Sequence, residues 1–157
     1  MIEGKTIMRS FVPYALVPCL SIFGPVQADA GEFDGSSPLL CALNEAMECS
    51  PGVLCQRILP SEVGAPDFFL IDVAAKSVQG LGGRGRASAI RGVTMIDEKL
   101  MLQGAEDGLE GVRDGLGWSA AITQDSGRFV LSASGEGVAF VVFGACAALV
   151  NLQVLPD

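Results

Sequence analysis

From position 68 onward, apolar and polar residues alternate along the chain. In the run Phe68 to Val78, Phe69, Ile71, Val73 and Ala75 fall at every second position. This is the mark of a strand with one buried face. Ala89 to Ile96 and Lys99 to Ala105 read as two further strands joined tightly at Asp97-Glu98. Gly117 to Gln124 and Arg128 to Ser134 flank Asp125-Ser-Gly127, a hairpin signal. After a second turn at Ser134-Gly-Glu-Gly137, Val138 to Phe143 is the most apolar strand, and Gln56 to Leu59 offers a possible seventh.

Upstream the period changes. Leu39, Leu43, Ala46 and Met47 recur at helical spacing behind Ser37, a capping residue, and Pro38, which suits a first helical position. Pro51-Gly52 would stop such a helix, so the pattern predicts one short helix over residues 38–48. No helix-length pattern separates the strands, which argues against a parallel sheet. The expected fold is all-β: an antiparallel up-and-down meander of about six to seven strands, barrel-like, with one short N-terminal helix. Closure removes exposed edges and favours a barrel over the alternative, a flattened two-sheet sandwich.

The first residues read as a targeting segment. Lys5 and Arg9 precede the apolar run Phe11 to Phe23, which ends near Val26-Gln-Ala28-Asp-Ala30. Small residues at −3 and −1 fit cleavage after Ala28 or Ala30. The run holds two prolines and is shorter than the ~20 residues that span a bilayer. Residues 1–28 are therefore expected to be a signal peptide and residues 29–157 a single disulfide-stabilised β domain, periplasmic or secreted, with no membrane span. The whole chain carries 18 acids and 10 bases. Removing Glu3, Lys5 and Arg9 leaves 17 acids and 8 bases, a net charge of −9. Such a surface repels phosphate backbones, so no nucleic-acid partner is expected.

Of five cysteines, Cys41, Cys49, Cys55 and Cys146 lie in the expected domain. An even number in an exported chain implies disulfides, with three pairings available. Eight helical residues would hold Cys41 and Cys49 about 12 Å apart, beyond the roughly 7 Å a disulfide allows. Two pairings remain. The preferred one joins Cys49 to Cys55 across a Pro-Gly turn and Cys41 to Cys146; the other joins Cys41 to Cys55 and Cys49 to Cys146.

The chain contains no histidine. This excludes Ser-His-Asp triads, Cys-His dyads and histidine general-base chemistry. Gly117-Trp-Ser119-Ala-Ala121 approaches a nucleophile elbow but has no base to serve it. Gly80, Gly82 and Gly85 satisfy G-x-G-x-x-G, yet a strand follows instead of the helix a dinucleotide site needs. No cofactor and no metal centre is expected.

The most unusual segment runs from Glu106 to Trp118. It concentrates Glu106, Asp107, Glu110 and Asp114 around Arg113, with four glycines, and ends at Trp118. As a structural loop it would close a barrel end, with Arg113 bonded to a carboxylate and Trp118 packed over the core. As a functional loop it would contact a ligand or partner through these six residues, wrap calcium, or use two carboxylates for hydrolysis.

The stretch Leu102 to Ser119, together with the cysteine-rich start and terminal Gly144-Ala-Cys146, resembles uncharacterised exported proteins of proteobacteria. That resemblance implies export and no particular activity. More loosely, the size and hairpins are similar to lipocalin-like carriers and small periplasmic inhibitor barrels, an analogy of fold alone. Three functions follow as expectations. The first is a binding module for an apolar or small ligand, because Ala74, Ala75, Ala89, Ala120, Ala121 and Ala133 would leave room inside a barrel. The second is an interaction or inhibitor domain meeting a basic protein through its acidic loops. The third is a carboxylate-based hydrolase.

Overall fold

The computed structural model describes residues 33–82, 86–108, 110–112 and 114–149. The expected signal peptide lies outside these residues. Among the described residues, nine strands form one antiparallel sheet: β1 (Leu39–Cys49), β2 (Gln56–Ile58), β3 (Phe68–Asp72), β4 (Ser77–Leu81), β5 (Ala87–Ile96), β6 (Lys99–Glu106), β7 (Leu116–Thr123), β8 (Arg128–Gly135) and β9 (Val138–Ala148). From β3 to β9 each strand pairs with the next, and β9 pairs back onto β1. Eight strands therefore close an up-and-down barrel. The short β2 lies beside Ala46–Glu48 of β1, on the edge that β3 occupies along Leu39–Ala42.

The expected helix over 38–48 is instead β1. Its buried residues explain the misreading. Leu39 and Cys41 are buried in strand alternation, a β-bulge intervenes between Leu43 and Glu45, and Ala46 is buried beyond it. The bulge adds one residue and shifts the phase. Leu39, Leu43 and Ala46 thereby acquire the i, i+4, i+7 spacing of a helix. The helical element among the described residues is a 3₁₀ turn at Pro60–Val63.

The expected single strand Phe68 to Val78 is two strands, β3 and β4, joined by a turn over residues 73–76. Lys76 takes the left-handed conformation there, with φ 53°. The tight connection at Asp97-Glu98 is present, with both residues at positive φ. That backbone twist matches the twist of the flanking strands.

Both preferred disulfides are formed: Cys41–Cys146 and Cys49–Cys55. Eliminating Cys41–Cys49 holds for a better reason than the helix, since eight strand residues span about 26 Å. Cys41 and Cys146 are direct cross-strand partners in β1 and β9, so the first disulfide staples the seam where the barrel closes. The β4–β5 seam is the least extensive. It has three register pairs, Ser77–Gln79 against Ala87–Ala89, flanked by backbone bonds from Ile90 N–H to Lys76 O and from Gly80 N–H to Arg86 O. No described helix is long and apolar enough to cross a membrane.

The core fills one half of the barrel. Leu39, Cys41, Ile71, Leu100, Leu102, Ile122 and Phe129 are buried almost completely. Phe33 closes this end beside Gly127, whose positive φ would strain any other residue. Phe69 and Phe129 meet edge to face across the interior, with ring centroids 6.3 Å apart. Toward the opposite end the inward positions become small. Gly104 lies on β6, Ala120 on β7, and Ala133 and Gly135 on β8.

Candidate ligand-binding cavity

That change in side-chain size leaves a cavity of about 740 Å³ in the open half of the barrel. Its volume is typical of a small-molecule site, and an eight-stranded barrel is wide enough to hold one small ligand. Alternation along the strands builds the walls. β7 contributes Trp118 and Ala120, β8 contributes Leu131 and Ala133, and β9 contributes Phe140 and Val142. Ile71, Val78 and Phe129 form the floor above the packed half.

One polar side chain, Ser88, lies below the rim. The Trp118 indole Nε1–H donates to Ser88 Oγ at 2.7 Å, and that hydroxyl donates to the Ala105 carbonyl at 2.9 Å. This chain of bonds satisfies the polar edge of the indole and leaves its apolar ring for the cavity wall. No buried side-chain polar atom among the described residues lacks a partner. The cavity therefore presents almost no fixed polar recognition below its rim.

The rim is charged. Arg86, at the start of β5, pairs with Glu106 at 2.9 Å and with Asp114 at 3.5 Å. Its guanidinium also donates to the Asp107 carbonyl at 3.5 Å. These contacts strap the loop before β5 to the loop between β6 and β7. Residues 61–66, with Glu62, and Glu136 in the β8–β9 turn line other parts of the mouth. The Glu62 carboxylate accepts the Leu59 N–H at 2.6 Å, which fixes the start of the 3₁₀ turn.

The acidic segment is thus divided. Glu106, Asp114 and Trp118 line the cavity, and Glu106 and Asp114 share a cation. Asp107 contributes its carbonyl to Arg86, and Glu110 lies exposed at the loop tip. Arg113 lies outside the described residues. Sequence reasoning missed Arg86, which directly follows the glycine motif Gly80–Gly85. It also missed Glu62 and Glu136.

Of the six alanines expected to leave room inside, Ala120 and Ala133 line the cavity. Ala74 and Ala75 are exposed in the β3–β4 turn, and Ala89 and Ala121 are not part of the lining. Ser119 bonds Ser132 Oγ at 2.9 Å, an exposed hydroxyl pair between β7 and β8. Among the described residues, no group of three or more acids or cysteines is placed to hold a metal ion.

No protein-family model, curated protein or solved structure matches this chain.

Proposed function

We propose that this protein is a non-catalytic binding module that holds an apolar ligand inside its barrel. The observation that carries this reading is the 740 Å³ cavity with apolar walls, open at a charged rim. Two disulfides fit a protein that works in an oxidising compartment. Together with the reading of residues 1–28 as a signal peptide, they support action in the periplasm or outside the cell. Membership of an exported proteobacterial family belongs to the same proposal.

The geometry favours this reading over action through the acidic loop. Two of that loop's carboxylates are engaged by Arg86 at the rim, and that cation restrains them. The same engagement disfavours a hydrolase, which needs one carboxyl free to donate a proton and another free to attack or activate water.

A neutral apolar fluorophore, N-phenyl-1-naphthylamine, tests the proposal. Its emission should rise on addition of the protein, with energy transfer from Trp118, the sole tryptophan. Ala133→Phe would fill the cavity and should weaken binding at least tenfold, equivalent to about 1.4 kcal/mol. Absence of binding, or binding that is indifferent to Ala133→Phe, would overturn it.

A further inference from the structure

The hydrogen-bonding capacity left over in the cavity is that of an acceptor. A serine hydroxyl offers one donor and two acceptor positions. The Ser88 donor goes to the Ala105 carbonyl at 2.9 Å, and the Trp118 indole N–H fills one acceptor position at 2.7 Å. One acceptor position remains. Ser88 precedes Ala89 on β5, Glu106 follows Ala105 on β6, and Ala89 and Ala105 are direct partners. Ser88 and Glu106 therefore lie side by side where the apolar wall meets the rim, and both line the cavity.

Charge at the rim points the same way. Among the described residues, the lining holds the carboxylates of Glu62, Glu106, Asp114 and Glu136 and one guanidinium, that of Arg86. Arg86 is turned to protein acceptors, namely Glu106 Oε1, Asp114 Oδ2 and the Asp107 carbonyl. Its contact with Glu106 uses one of two carboxylate oxygens, and each oxygen has two acceptor positions.

We propose, resting on the reading of the barrel as a binding module, that the molecule it holds is a lipophilic amine. The hydrocarbon body lies in the barrel, and the ammonium group sits between Ser88 Oγ and the Glu106 carboxylate. An ammonium group is all donor, like that of lysine, and so matches acceptors alone. The Trp118 indole beside Ser88 adds an aromatic ring, whose face attracts a cation. The Glu106 side chain is 29% exposed, so the charged head keeps part of its water while the body is buried. A hydroxyl head would reach the same acceptors without the attraction of charge. A carboxylate head would give Ser88 nothing and would meet the acidic rim as a like charge.

Displacement of N-phenyl-1-naphthylamine from the full, disulfide-bonded chain at neutral pH tests the assignment. The competitors are dodecylamine, dodecan-1-ol and dodecanoate, each below its micelle-forming concentration. They share one hydrocarbon chain and differ in the head. Dodecylamine, protonated at neutral pH as lysine is, should displace the dye at a concentration about tenfold below either of the others. Ser88→Ala and Glu106→Gln should each cut that advantage about threefold while the dye still binds. Glu110→Gln, which removes a carboxylate outside the cavity lining, should leave it unchanged.

Equal displacement by the three competitors, or stronger displacement by dodecanoate, would overturn the amine assignment and leave the binding reading standing. So would an advantage that persists in both Ser88→Ala and Glu106→Gln, or one that falls as far in Glu110→Gln, which would trace it to the acidic surface at large. A dye that never binds would overturn the binding reading and the assignment together.

Discussion

The indole of Trp118 lies across Gly104, its direct partner on β6, and a β-carbon at position 104 would overlap the ring. That same β-carbon would also approach the Ala89 carbonyl at 2.5 Å. The missing side chain on β6 is thus what lets Trp118 reach Ser88 on β5. Gly104→Ala should displace the ring, break its bond to Ser88 and cost about 1–3 kcal/mol. Urea unfolding gives the stability change. A red shift in the emission of the sole tryptophan would show that the ring has moved toward water.

The two disulfides should differ in what they contribute. Cys41 and Cys146 enclose a separation of 105 residues, Cys49 and Cys55 one of 6. In the chain-entropy model the first stabilises by about 4–5 kcal/mol and the second by about 2 kcal/mol. Replacing Cys41 and Cys146 together by alanine should therefore lower the urea midpoint more than replacing Cys49 and Cys55 together. Equal losses would contradict the entropic ranking.

At the rim, Arg86→Ala should destabilise by about 0.5–1 kcal/mol. Its ion pairs are roughly one-third exposed and partly screened by solvent. Glu110→Ala, at the loop tip, should change stability by less than about 0.5 kcal/mol. The difference should shrink in 1 M salt, where the screening length falls to about 3 Å. Thermal melts of both variants at low and high salt measure it.

Acid should weaken the fold through carboxylates at the closed end. The hydrogen bond and charge of Lys99 hold Asp97 below the usual carboxylate range. Hydrogen bonds from Ser36 do the same for Asp34. A carboxyl that loses its proton more readily when folded contributes stability above its unfolded value. That contribution disappears as pH falls through the lower folded value. Stability should therefore decline as pH drops below about 4, and Asp97→Asn should make the decline shallower. Urea midpoints at neutral and acid pH would test both.

Much of the barrel was legible because its hairpins announce themselves. Asp125-Ser-Gly127 separates two alternating runs, and β7 and β8 pair across it. The β3–β4 turn was illegible for the opposite reason. Val73-Ala-Ala-Lys76 carries no glycine, proline or asparagine, and Lys76 adopts positive φ without a local sign of it. In β1 the bulge disguised a strand as a helix. The candidate site was legible as far as its small residues, Ala120 and Ala133, and its tryptophan. Its charge pattern was not. Arg86 meets Asp114 over 28 residues of sequence, and only the β5–β6–β7 register brings them together.

A hoop widens at its least-sewn joint. Here the joint between β1 and β9 holds ten register pairs and a covalent staple, while that between β4 and β5 holds three. On the proposed binding role, the joint between β4 and β5, beside Ser88 and the Arg86 strap, is where the wall would part most easily for a guest too bulky for the mouth, and reducing the staple would add a second such place.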